Sequence, residues 1–217
     1  ILDILFKSKL IESIKVGAFI VDHSTTSLKL VNQIISDNQI ASRKITFFDA
    51  PISGGEAGAI NGTLSVMLGG GNKNSLIVRK LIKTFAKNIV HVGPNGHGQL
   101  TKMINQICIA GLLQGLSEAL SFGSQKKLDM NKVLDAISQG AAQSWQMDNR
   151  AETMLNNKFN FGFAVDLMIK DLKIALLEAK PLDLKLQTTK DVLDRYNKLS
   201  KNGFGNLDTS SLIKLNK

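Results

Sequence analysis

An α/β layer followed by an all-helical domain built on one long central helix is the fold this sequence predicts. Three observations carry it. Short β-rich runs alternate with helical patterns up to about residue 95. The strand signals then stop, and a proline-free apolar stretch opens at Gly98 and continues to Phe122. With 43% hydrophobic and 21% charged residues over 217 positions, the chain can bury a real core and is too apolar to be disordered.

The segment up to Val16 reads as a helix feeding a strand at Gly17-Ala-Phe-Ile-Val-Asp22. Ile45-Thr-Phe-Phe48, Leu64-Ser-Val-Met-Leu68 and Ile89-Val-His-Val92 follow as further strands, each short and bounded by turn residues, as in a largely buried parallel sheet. Between them, Ser27 to Asn38 and Lys73 to Phe85 have helical spacing, the first opened by Ser and Thr caps. Gly98 to Phe122 is apolar almost all round, which predicts a helix buried on every side, at the centre of a helical domain or between two subunits. Helices are also expected at about 129–139, 145–156, 164–180 and 187–199. Ile1 is not a natural initiator, and a parallel sheet without its first strands leaves an open edge, so a fragment is expected.

Composition narrows the function classes. No apolar run reaches the length of a membrane span, and none resembles a signal peptide. A single cysteine, Cys108, cannot form an internal disulfide, which points to a reducing, cytoplasmic setting; mid-helix among apolar residues, it reads as inert core. The net charge of +9 invites nucleic acid, but the lysines are scattered and one Trp and one Tyr offer little stacking, so neither nucleic acid nor membrane is expected as a partner. His23, His91 and His97 have no carboxylate or Cys at metal-ligand spacing; no metal is assigned, and His23 and His91 read as structural.

Gly93-Pro-Asn-Gly96-His-Gly98 follows a strand and opens a helix, superficially like a dinucleotide loop. A true fingerprint would lead on to another strand ending in an acidic residue, and here none follows the helix. The phosphate-binding loop is therefore not expected in this chain, and these glycines read as the crossing between domains. In Asp49-Ala-Pro-Ile-Ser53-Gly54-Gly55 a serine and consecutive glycines can present a hydroxyl and N–H groups to an anion, although an ordinary β-turn is the simpler reading of the spacing. Lys102 sits in the first turns of the apolar helix, with Asn105 one turn further along the same face. It either snorkels to the surface, the simpler reading of the pattern, or is held in a pocket and serves as a general acid/base. Lys170-Asp171-Leu172 would by itself be read as a solvated helix face.

Taken together, Asp22-His-Ser-Thr25, Asp49 to Gly55, Gly62-Thr-Leu-Ser-Val-Met-Leu-Gly-Gly70, Gly96-His-Gly-Gln-Leu-Thr-Lys102-Met-Ile-Asn105-Gln, Ser144-Trp145 and Asp166-Leu-Met-Ile-Lys170-Asp171-Leu resemble the β-hydroxyacid dehydrogenase family. That family includes 3-hydroxyisobutyrate dehydrogenase and 2-hydroxy-3-oxopropionate (tartronate semialdehyde) reductase. The resemblance covers essentially the whole chain. It implies the C-terminal part of an NAD(P)-binding Rossmann-type domain over residues 1–94, then a helical substrate and dimerisation domain of the 6-phosphogluconate dehydrogenase type over 95–217. The first βαβ units, with their Gly-x-Gly-x-x-Gly, would precede Ile1, roughly 70 residues in about two such units.

Residue roles follow from the same resemblance. Lys102 matches the catalytic lysine and Asn105 the asparagine that orients the substrate. Ser53, Gly54 and Gly55 match the loop for the substrate carboxylate. Thr25 matches the hydroxyl residue beside the nicotinamide, and Lys170 the lysine that closes over cofactor and substrate. Trp145 and Phe163 are expected to shape the pocket. Two positions depart from the family pattern: Phe161-Gly162-Phe163 stands where Pro-Gly-Phe is frequent, and His97 where a small residue is common. The implied activity is hydride transfer between NAD or NADP and a small β-hydroxy acid or semialdehyde, in a homo-oligomer. A non-catalytic interaction protein with an impaired cofactor site is the alternative from another class, and the presence of Lys102, Asn105 and Lys170 argues against it.

Overall fold

Residues 1–216 are described by the computed structural model, whose contacts divide the chain into two units, Ile1–Met103 and a second beginning at Ile104.

In the first unit, a π-helical turn at Asp3–Lys7 and α1 (Leu10–Ser13) replace the single opening helix that the sequence predicts. Lys9, in the left-handed region at φ 60°, interrupts it. β1 (Phe19–Asp22) follows, then α2 (Leu28–Ile35) and α3 (Asn38–Ser42). The predicted helix from Ser27 to Asn38 is thus shorter. Ser27 caps α2 by accepting from Leu30 N–H at 3.3 Å, and Asp37 caps a separate helix by accepting from Gln39 N–H at 2.8 Å. β2 (Thr46–Asp49), β3 (Ile52–Ser53), α4 (Gly55–Ile60), β4 (Leu64–Gly70), α5 (Asn72–Ile82) and β5 (Ala86–Gly93) complete the layer.

The sheet is mixed, where the sequence predicts a parallel one. β1 runs parallel to β2, with Phe19 opposite Thr46 and Asp22 opposite Asp49, and β4 runs parallel to β5. β4 is antiparallel to both β2 and β3. β2 and β3 run in one direction, broken only at Ala50-Pro51, and β4 returns beside both of them. The short α4 therefore joins a hairpin and does not make a crossover.

Apolar side chains cover both faces of the sheet. Phe47 packs with Ile11, Val31, Ile34 and Ile40, while its neighbour Phe48 packs with Val66, Leu68, Val78 and Ile82. Adjacent strand residues point to opposite faces, so α2 lies on one side and α5 on the other.

The long helix α6 (His97–Gln125) begins against the ends of β2 and β4. A Cβ at Gly98 would lie 2.4 Å from the Met67 carbonyl oxygen and 2.6 Å from that of Asp49, so only glycine fits there.

In the second unit, α6 is followed by α7 (Met130–Ile137), α8 (Trp145–Leu155), α9 (Val165–Ala179) and α10 (Gln187–Leu199), and a 3-10 segment spans Thr209–Asn216. Two clusters fill it. Ala110, Leu113, Met168, Leu172, Val192, Tyr196, Leu199 and Leu212 form one; Leu116, Leu120, Met147, Ala151, Met154, Phe159 and Ile213 form the other.

Two expectations for α6 need correction. The sequence reading expects no apolar run of membrane-spanning length, whereas by length and composition α6 is apolar enough to cross a membrane. Its buried Gln106 and Ser117 are hydrogen-bonded within the fold, which is the pattern of a core helix. Nor is it buried on every side. Ile104 (63% exposed), Cys108, Leu112 (47%) and Phe122 (65%) form an exposed apolar stripe, so Cys108 is not core. Ala110, Leu113, Leu116 and Leu120 recur at helical spacing and turn only the other face into the two clusters.

Candidate active site

Lys102 is the buried cation of the first unit. Its side chain does not snorkel: the residue is 6% exposed, and Nζ donates to the Ile52 carbonyl at 2.8 Å. That carbonyl directly precedes Ser53, Gly54 and Gly55. Ser53 pairs with Ser65 across the β3–β4 ladder, and the chain then turns through Gly54 (φ 128°) and Gly55 (φ 61°) into α4. Both glycines are exposed and hold conformations that a residue with a Cβ avoids. The segment is thus a strand end and a glycine turn, more structured than a simple β-turn, and it sets a hydroxyl and backbone N–H groups next to the lysine's acceptor.

Thr25 lies half-buried in the loop between β1 and α2, at the carboxyl end of β1, where open α/β sheets hold their ligands. The loop is anchored by Asp22 Oδ1, which accepts from Ser24 N–H at 3.0 Å. Asp22 Oδ2 is buried without a hydrogen-bond partner. An unpaired buried acceptor is costly unless a ligand supplies the donor, and the hydroxyl and amide groups of a nicotinamide nucleotide would fit it.

In the second unit, Asn105 and Lys170 are joined through two residues the sequence reading did not single out for a role. Asn105 Nδ2 donates to Gln106 Oε1 at 2.8 Å, Gln106 Nε2 donates to Asp171 Oδ2 at 2.7 Å, and Lys170 Nζ pairs with Asp171 Oδ1 at 2.9 Å. Gln106 and Asp171 are each 1% exposed. The expectation of a solvated face at Lys170-Asp171 therefore holds for Lys170, which is about half exposed, and fails for Asp171. The pair sets a half-exposed ammonium beside a buried carboxylate.

Trp145 opens α8 behind its cap Ser144 and is 55% exposed. The Arg150 guanidinium lies 5.0 Å from the Trp145 ring and 4.9 Å from that of Phe161. Arg150 also pairs with buried Asp208 at 3.2 Å, and Asp208 accepts from Phe163 N–H at 2.9 Å. The side chain of Phe163 packs on the helical core. Asp208 thus fixes the Phe161-Gly162-Phe163 turn, and a Cβ at Gly162 would lie 2.1 Å from its Oδ2. Tyr196, fully buried nearby, has its hydroxyl pKa pushed well above the ordinary value, first by burial and then by Asp208.

Asp49, Gln99, Gln106, Asp171 and Asp208 are buried polar residues, and Arg150 a half-buried one, to which the sequence reading assigns no role. Asp49, Gln99, Gln106 and Asp171 lie inside the motifs quoted above, whereas Arg150 and Asp208 carry no motif; what each of them pairs with depends on the tertiary fold. The predicted structural role of two histidines matches their contacts: His23 Nδ1 lies 2.7 Å from the Ala50 carbonyl oxygen, and His91 Nε2 lies 2.8 Å from that of Gly70.

Residues 1–93 match the family model described as the NAD binding domain of 6-phosphogluconate dehydrogenase. Residues 96–216 match that described as NAD-binding of NADP-dependent 3-hydroxyisobutyrate dehydrogenase. The chain is 44% identical over 210 residues to an uncharacterised oxidoreductase of Shewanella frigidimarina, covering 97% of this chain and 72% of that protein. It is 41% identical over 167 residues to the 2-hydroxy-3-oxopropionate reductase of Escherichia coli K12, covering 77% and 57% respectively. The fold is that of the crystal structure of a 3-hydroxyisobutyrate dehydrogenase from Salmonella typhimurium, with a TM-score of 0.86 at 24% identity over 99% of this chain and 75% of the other. With a Rossmann-like domain, a helical domain on one long helix and the two family models matched over residues 1–93 and 96–216, the chain belongs to the β-hydroxyacid dehydrogenase family.

Proposed function

We propose that this protein oxidises a small β-hydroxy acid such as 3-hydroxyisobutyrate, or reduces the matching semialdehyde, with Lys102 as general acid/base and NAD or NADP as cofactor. The observation that carries the reading is the buried Lys102 side chain, whose Nζ lies 2.8 Å from the carbonyl that leads into Ser53-Gly54-Gly55. When bound, the nicotinamide supplies the hydride chemistry, and Thr25 and Lys170 are the residues that would hold it. Ser53 and the Gly54 and Gly55 N–H groups bind the substrate carboxylate, which orients the reacting carbon. Lys102 Nζ takes the hydroxyl proton in oxidation and returns it in reduction, while Asn105 orients the substrate hydroxyl. Trp145 and Phe163 wall the substrate pocket.

Lys170→Ala is expected to raise the Michaelis constants for cofactor or substrate roughly tenfold, since it removes a charge held by Asp171. Steady-state kinetics check this, and unchanged constants would remove Lys170 from the site.

A second reading, reduction of 2-hydroxy-3-oxopropionate or a related semialdehyde, is favoured by the 41% identity to the Escherichia coli reductase. Side-by-side assays with 3-hydroxyisobutyrate and 2-hydroxy-3-oxopropionate separate the two by kcat/KM.

The exposed stripe of Ile104, Cys108, Leu112 and Phe122 supports a homo-oligomer, with the helical domain, residues 95–217, serving for dimerisation as well as substrate binding. Leu112→Asp is expected to lower the molar mass measured by light scattering to that of the monomer. An unchanged oligomer would place the interface elsewhere. Cys108, exposed and without an internal partner, fits a reducing, cytoplasmic compartment.

A further inference from the structure

Gln99 stands in the first turn of α6, three residues before Lys102, and is 0% exposed. Its side-chain amide grips the backbone on both sides of Thr25. Thr26 N–H donates to Oε1 at 2.9 Å, and Nε2 donates to the Ser24 carbonyl at 2.8 Å. The carbonyl of one residue and the N–H of the residue two further on are the pair that an extended chain offers to a neighbouring strand. Gln99 meets both with one planar group, as a strand would.

The backbone of Gln99 is fixed as well. Its N–H donates to Asp49 Oδ2 at 3.0 Å, and Asp49 Oδ1 accepts from Gly96 N–H at 2.7 Å. Asp49 is itself 0% exposed and ends β2, three residues before the Ile52 carbonyl that accepts from Lys102. One buried amide and one buried carboxylate therefore tie together the Thr25 loop, the strand leading to Ser53 and the helix that carries Lys102.

We propose that Gln99 is a positioning residue that sets the Thr25 loop, and with it the nicotinamide end of the cofactor, against Lys102. This rests on the roles given above to Thr25 and Lys102. Gln99 has no proton to exchange at neutral pH and acts only through the loop it holds. Its requirement is for one donor and one acceptor at the same place. Asparagine is a methylene short, methionine fills the space with neither group, and an ionised glutamate has the acceptor but turns a second oxygen on the Ser24 carbonyl.

A protonated glutamate restores the donor, which gives the test. In the intact enzyme, Gln99→Glu is expected to show a cofactor KM at least about tenfold above wild type near pH 8.5, with the ratio falling to within about threefold near pH 5.5. The sign follows from the introduced carboxyl, which is charged at the higher pH and neutral at the lower. Burial at this position disfavours the charged form and so raises its pKa. Gln99→Met is expected to show a similar loss at every pH. A role limited to stability would not make the cofactor KM of one variant recover on acidification.

Hydrogen exchange without cofactor supplies a readout independent of turnover. In Gln99→Met the amides of residues 24–27 are expected to exchange at least about tenfold faster, with the β4–β5 ladder unchanged. Both variants are compared with Lys102→Ala. Near-normal cofactor constants and unchanged exchange in folded Gln99 variants, alongside an inactive Lys102→Ala, overturn the role of Gln99 and leave the lysine mechanism standing. An active Lys102→Ala overturns the lysine mechanism instead, and with it the proposal built on it.

Discussion

Lys102→Ala in the intact enzyme is expected to lower turnover at least about 100-fold, the usual scale of lost acid/base catalysis. It is the only buried lysine or arginine of the first unit, and Nζ is held at 2.8 Å from the carbonyl beside the glycine turn. The substitution removes the proton carrier and leaves the Ile52 carbonyl without that donor. Lys102→Arg separates these effects, because a guanidinium keeps the charge and the hydrogen bonding but stays protonated. It is expected to bind substrate and still turn over slowly. Steady-state kinetics with circular dichroism as a check on folding decide the matter, and near-normal turnover in the alanine variant would sink the assignment.

The largest effect on stability is expected from Asp208→Ala, at about 3–5 kcal/mol. Asp208 is 1% exposed, and its Oδ1 accepts from Arg150 at 3.2 Å, from Ser210 N–H at 3.0 Å and from Ser210 Oγ at 2.6 Å. Oδ2 accepts from Phe163 N–H. Truncation leaves a largely buried guanidinium and two backbone N–H groups without their acceptor, the circumstance in which breaking a buried pair costs most. For a chain of this size the melting midpoint should fall by roughly 10 °C. Thermal unfolding followed by circular dichroism measures this. A fall of only a degree or two would mean that the Phe161–Phe163 turn is held by its backbone bonds alone. Asp208→Asn keeps an acceptor and is expected to lose less than the alanine variant.

The helices of the second unit were legible because each carries its own period. Trp145–Leu155 and Gln187–Leu199 fall within a residue of their expected bounds, and the latter turns Val192, Leu193, Tyr196 and Leu199 into the core at helical spacing. The strands at Phe19, Thr46 and Leu64 were legible for a similar reason, as short apolar runs closed by turn residues. The mixed sheet was not. Direction depends on how the Ala50-Pro51 break and α4 bring β4 back beside β2, and no residue in those strands encodes that by itself.

What the sequence alone determined is the succession of an α/β layer and a helical domain, the family and the residue types at the candidate site, because these are properties of local pattern and of motif. Whether Lys102 reaches solvent or is held inside was open, since a helical lysine can do either and only the position of Ile52 across the fold decides it. The same is true of Cys108, whose apolar neighbours in sequence lie on the buried face while it lies on the exposed one. The tertiary structure alone decided which polar groups pair. Gln99 meets Ser24 and Thr26 some seventy residues away in the chain, and Gln106 meets Asp171 from more than sixty. Such pairs have no sequence period, because the requirement they satisfy, a donor for each buried acceptor, arises only when the core has closed around them.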